Sequence, residues 1–177
     1  MRRPYTIIVV LLVAISVARG QGTVNFANAG ATFSAPVIGP DGFRLTGPPW
    51  MAELLAGSTA ASISPLAATP FLSGGGAGFF NGGVVAVPTV APGSIGFFQV
   101  RVWDTTVGAT FAAAQAAGTG YGFSCVFSGP TGGVGIPASA PTSLVGLQNC
   151  PLIPEPSSVL LLIMGVSALL HRGCKSL

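Results

Sequence analysis

The sequence predicts an all-β domain, an antiparallel β-sandwich of jelly-roll or Ig-like type with one short Ala-rich helix, flanked by an N-terminal signal peptide and a C-terminal short transmembrane helix. Three observations carry this. Short runs of alternating polarity are separated by dense turn chemistry, with 26 Gly and 15 Pro among 177 residues. The 11 Phe, 2 Trp and 2 Tyr supply bulk for a core. The longest apolar runs lie at the two ends, and each is short for a lasting membrane span.

The clearest strand is 95–104. Phe98, Val100 and Val102 point one way and Gln99 and Arg101 the other, the period-two pattern of a half-buried strand. Residues 50–56 fit a strand or a short helix, and Pro48-Pro49 before them and Gly57 after them favour the strand. Further strands are expected at 23–27, 42–45, 83–87, 121–127 and 143–147. Between them, Pro40-Asp41-Gly42, Gly74-Gly75-Gly76, Asn81-Gly82-Gly83, Ala91-Pro92-Gly93 and 129–133 read as turns. The one helical segment is 110–117, with Thr110 as N-cap and Gly118 as C-cap. No internal repeat is found. The domain is expected over 21–153.

Half of the residues are hydrophobic and only 6% are charged, with a formal net charge of +3. That excess sits at the ends, on Arg2, Arg3, Arg19, Arg172 and Lys175. The middle holds only Asp41, Arg44, Glu53, Arg101 and Asp104 and is slightly acidic. Nucleic-acid binding needs clustered cations, so the basic balance does not support it.

At the start, Arg2 and Arg3 precede an apolar run, Ile7 to Ile15, and then Ala18-Arg19-Gly20-Gln21. A cationic flank, a short greasy segment and small residues at alternate positions form a secretory signal peptide over 1–20. Signal peptidase is expected to cut between Gly20 and Gln21. The competing reading is a membrane anchor or a buried strand, but the run falls well short of the ~20 residues of a spanning helix.

At the other end, Pro154-Glu155-Pro156 is followed by an apolar helix over 157–170 and a basic tip carrying Arg172 and Lys175. Prolines on both sides of the glutamate oppose a strand ladder or a helix interior, so the tripeptide is expected to be extended and accessible. The apolar stretch from Val159 to Leu170 reaches only ~18 Å against a ~30 Å hydrocarbon core. The basic tip would stay on the cytoplasmic side. An ordinary C-terminal anchor on a Pro-rich stalk is the alternative.

This tail resembles the sorting signal of PEP-CTERM proteins, exported bacterial proteins processed by a membrane-embedded exosortase. The resemblance spans Pro154 to Lys175, and the tip departs from the usual pattern in having Gly173 and Cys174 between its two cations. It implies that Pro154, Glu155 and Pro156 are recognition residues and that 154–177 is a sorting signal. It also implies transient residence in the inner membrane of a Gram-negative cell, followed by release to the cell surface or the exopolysaccharide matrix of a biofilm. The segments Gln21 to Phe26 and Val100 to Asp104, with the Ala-rich stretch after them, are more loosely similar to a group of PEP-CTERM proteins. That group has uncharacterised β domains, which imply no activity.

The middle offers little for catalysis. It contains no His and no Lys, so serine or cysteine nucleophiles lack a base and zinc lacks its usual ligands. Glu53 with Asp104 could arithmetically serve glycoside cleavage. The favoured reading puts Asp41 in its turn, Glu53 on a solvent face and Asp104 capping a strand end beside Arg101. Gly74 to Gly78 lacks the Lys-Ser/Thr of a phosphate loop. The expectation is therefore a non-enzymatic protein without cofactor, metal or catalytic residue. Trp50, Trp103 and Tyr121 could stack on sugar rings, and the alternation of 95–104 would leave Trp103 exposed on the face of Gln99 and Arg101. Cys174 lies in the tip, which leaves Cys125 and Cys150 in an oxidising setting. They form either a disulfide closing a 24-residue loop or two buried free thiols.

Overall fold

The computed structural model describes residues 20–148 apart from residue 136, and the backbone of Ile153 and Pro154. The chain in this range is mostly β. In order come β1 (Gly22–Ala27), β2 (Trp50–Gly57), β3 (Ser64–Pro70), β4 (Asn81–Val87) and β5 (Ile95–Asp104). The helix α1 (Phe111–Ala117) follows, then β6 (Tyr121–Phe123), β7 (Phe127–Pro130), β8 (Thr142–Ser143) and β9 (Ile153–Pro154). One sheet has the order β4-β1-β8; the other runs β3-β2-β5-β6-β9, with β7 also on β5. All pairs are antiparallel except β1 with β8.

The inward faces of both sheets share one apolar core, an arrangement consistent with a β-sandwich. Val24 and Phe26 of β1 and Val87 of β4 meet Ala52 and Leu54 of β2 and Phe98, Val100 and Val102 of β5. Each large side chain fully removed from water contributes about 1.5–3 kcal/mol. Phe80 joins two rings, with centroids 5.0 Å from Phe26 and 5.5 Å from Phe71. The outer face of β5 is covered by α1. There Trp103, Phe111 and Ala114 form a second buried cluster against Met51 and Tyr121. The helix has the expected caps: Thr110 Oγ1 accepts from the Ala113 N–H, and Gly118 takes a left-handed φ of 74°.

Several elements differ from the sequence reading. Residues 42–45 are not a strand. Only Arg44 makes a bridge, to Ile38, because the Pro40-Asp41-Gly42 turn folds this loop back on itself. The expected single strand 121–127 is split into β6 and β7 by a bulge. There the Ser124 hydroxyl accepts from the Val100 N–H at 3.0 Å, in place of a ladder carbonyl. Of residues 143–147 only Ser143 is in a strand, the end of β8, and a 3₁₀ turn over Val145–Gln148 follows; the buried Leu144 and Leu147 lie three apart, the spacing of that turn and not of a strand. Strand β3 was not expected, since Pro65 and Pro70 argue against it, but it lies at a sheet edge where a missing N–H is tolerated. Asn81 and Gly82, read as a turn, open β4 beside a register shift in its pairing with β1.

Pro154 pairs with Gly122, so the ladder takes in the first residue of the Pro-Glu-Pro sequence, again at a sheet edge. Glu155, Pro156, Cys150, Arg172, Lys175, the apolar stretch 157–170 and the signal segment up to residue 19 lie outside the described residues. Among the described residues no helix is long and apolar enough to cross a membrane.

Candidate functional site

The loop between β1 and β2 builds a concavity that combines polar and aromatic side chains. Its two arms are fixed by burial of Val37 and Leu45, with the Leu45 N–H donating to the Val37 carbonyl at 3.1 Å. Between them the Gly39 N–H donates to the Phe43 carbonyl, and the Phe43 N–H donates to Asp41 Oδ1 at 3.0 Å. This closed turn lifts the Phe43 ring into solvent, 74% exposed. Trp50 opens β2 opposite, half-buried and packed against the main core. The result is a groove of about 430 Å³ lined chiefly by Pro40, Asp41, Phe43, Arg44, Leu45 and Trp50. It offers an apolar floor, two aromatic rings, one carboxylate and one guanidinium, a composition suited to a small polar ligand with an apolar face.

The other sequence-derived candidates are dispersed. Trp103 is only 6% exposed, contrary to expectation, because α1 covers its sheet face and Phe111 packs on it; Tyr121 belongs to the same cluster. Neither ring joins Trp50. Glu53 is not on an open solvent face. It accepts a hydrogen bond from Arg101 Nε at 2.5 Å, across the β2–β5 pairing, and the Arg101 guanidinium lies 4.5 Å from the Phe111 ring centre. Asp104 accepts from the backbone and hydroxyl of Thr106. It stands three residues from Arg101, so the strand alternation puts it on the opposite face from Arg101 and Glu53. Glu53 and Asp104 therefore do not face each other across a cleft. Among the described residues no three His, Cys, Asp or Glu side chains converge.

Two further concavities are present. One of about 300 Å³ is apolar and lies where β7 and β8 part, between Phe98, Phe127, Pro130 and Leu144. The other, about 230 Å³, runs beside α1 between Gln99, Arg101, Phe111 and Phe123, where Arg101 is already engaged by Glu53. Of the residues expected at processing points, Gly20 and Gln21 are exposed just before β1, and Pro154 lies in β9. Cys125 is disulfide-bonded.

Phe43 and Arg44 are the site residues that sequence reading missed. Alternation assigned them to a strand, whereas an aromatic directly after a Pro-Asp-Gly turn was the available signal for a presented ring. Comparison with protein families, curated proteins and solved structures finds no match to this chain.

Proposed function

We propose that this chain is an exported, non-enzymatic surface or matrix protein. It is led out by the signal over 1–20, sorted by its tail and processed by an exosortase at Pro154-Glu155-Pro156. Its role is structural or adhesive within an exopolysaccharide matrix, and its two sheets form a jelly-roll or Ig-like sandwich. The supporting observation is where the described strands lie. β1 begins at Gly22, just after the exposed Gly20 and Gln21, and β9 ends on Pro154. The described strands thus lie between the two expected processing points, with Pro154 itself paired to Gly122.

Mass spectrometry of the protein recovered from its cells tests this. The expected product starts at Gln21 and ends within Pro154-Glu155-Pro156. An intact C-terminus held in the membrane fraction would favour a stably anchored protein, and a full-length chain in the cytosol would refute export.

A second reading, a carbohydrate-binding module, is favoured by the groove of Phe43 and Trp50. Affinity electrophoresis against polysaccharides tests it, and mobility unchanged by every polymer would remove it.

A further inference from the structure

Of the five charged side chains in the described domain, four are committed to partners. Glu53 and Arg101 bind each other, Asp104 holds Thr106, and Asp41 Oδ1 accepts the Phe43 N–H. Arg44 alone has no hydrogen bond or ion pair among the described residues. It is nonetheless held in place. Its guanidinium lies 5.3 Å from the centre of the Phe79 ring, and its methylenes run along the backbone at Gly78. A Cβ at residue 78 would sit 3.1 Å from Arg44 Cδ, and the φ of +85° there is suited to glycine. The side chain has lost much of its freedom while keeping its N–H donors unspent, which is the condition of a preorganised binding group.

What this donor set can hold follows from its surroundings. Asp41 lines the same groove, so the site carries one negative and one positive group and has no net charge. An anionic ligand that reached Arg44 would also meet the Asp41 carboxylate. A neutral sugar meets both productively: one hydroxyl donates to Asp41, its neighbour accepts from Arg44, and the C–H face of the ring lies on an aromatic side chain. Thr46 adds a hydroxyl to the same wall. We infer that the groove between Phe43 and Trp50 binds a neutral hexose unit of a polysaccharide, with Arg44 and Asp41 reading adjacent hydroxyls. This rests on the carbohydrate-binding reading given above and specifies its ligand class.

The test is affinity electrophoresis of the protein as its cells produce it, in gels containing galactomannan, dextran or alginate. Retardation by a neutral polymer is expected, and it should persist when salt is raised to roughly 0.5 M, because no ion pair is being screened. Phe43→Ala and Arg44→Gln should each weaken that retardation about tenfold, the loss of one stacking or polar contact. Their melting temperatures should stay close to the parent's, since Phe43 is exposed, the Arg44 side chain makes no hydrogen bond or ion pair among the described residues, and Gln keeps methylenes to lie along Gly78. Phe123→Ala removes an exposed ring from a different cleft and should bind as the parent does. Retardation by alginate alone, abolished by salt, would overturn the neutral-sugar assignment while leaving carbohydrate binding in place. Equal loss in Phe43→Ala and Phe123→Ala would overturn the groove as the site. No retardation by any polymer would overturn both the inference and the carbohydrate reading, and the masses of the two termini would judge export separately.

Discussion

Asn28 is fully buried, and its amide joins two loops that are otherwise far apart in sequence. It donates to the carbonyls of Ala35 and Gly78 and accepts from the Phe80 N–H, each at 2.8 Å. Replacement by Ala strands the buried Phe80 N–H and takes the donor from the part-buried Ala35 carbonyl, while the Gly78 carbonyl still accepts from the Val37 N–H; each group left unsatisfied costs about 1–3 kcal/mol. We expect Asn28→Ala to lower the unfolding free energy by about 3 kcal/mol, read from urea denaturation. The Glu53–Arg101 pair contrasts with this. Its side chains keep 17% and 25% of their surface, so solvent screens the attraction, and Glu53→Gln should cost no more than about 1 kcal/mol. A larger loss would mean that the pair does more than clip α1 to the sheet through Phe111.

At the scale of elements, the bulge between β6 and β7 hangs on Ser124. Its hydroxyl accepts from the Val100 N–H and lies 2.8 Å from the Cys125 carbonyl, while its own N–H donates to the Val100 carbonyl. Ser124→Ala should therefore leave the Val100 N–H unpaired inside the sheet and cost about 1–3 kcal/mol in denaturation. Thr110→Ala, by comparison, removes one cap bond and should cost about 1 kcal/mol. Strand β5 and helix α1 were legible because their information is local: alternation in one, a cap at each end in the other. The bulge was not, because a buried serine inside an apolar run reads as a continuing strand until its partner on β5 is known. Strand β3 was hidden behind its prolines, whose acceptability depends on lying at an edge. The groove was half legible. Trp50 was singled out as a sugar platform, but its real companions, Phe43 and Arg44, are set by how a loop closes over Val37, Leu45 and Phe79.

Across the whole molecule, the outer rims of the larger sheet carry prolines: Pro65 and Pro70 on β3, Pro130 on β7 and Pro154 on β9. A proline lacks the N–H that would template another chain, so these rims resist edge-to-edge association. For a domain with so few charges to repel its copies, that protection matters more than usual. The disulfide at Cys125 acts on the same scale. If Cys150 is its partner, one of the two alternatives the sequence left open, reduction should lower stability by about 3 kcal/mol in the chain-entropy account. Denaturation with and without reductant measures this, and peptide mapping identifies the partner.

The attachment of β9 has a mechanical corollary. Among the described residues it is held to the rim of its sheet through Ile153 and Pro154. Tension on the C-terminal tail would then strip this strand off like the last teeth of a zipper, one link at a time, while the broad lacing of β2 with β5 stays shut. The molecule would yield a little slack to whatever pulls on that strand, and its folded body would not have to give way.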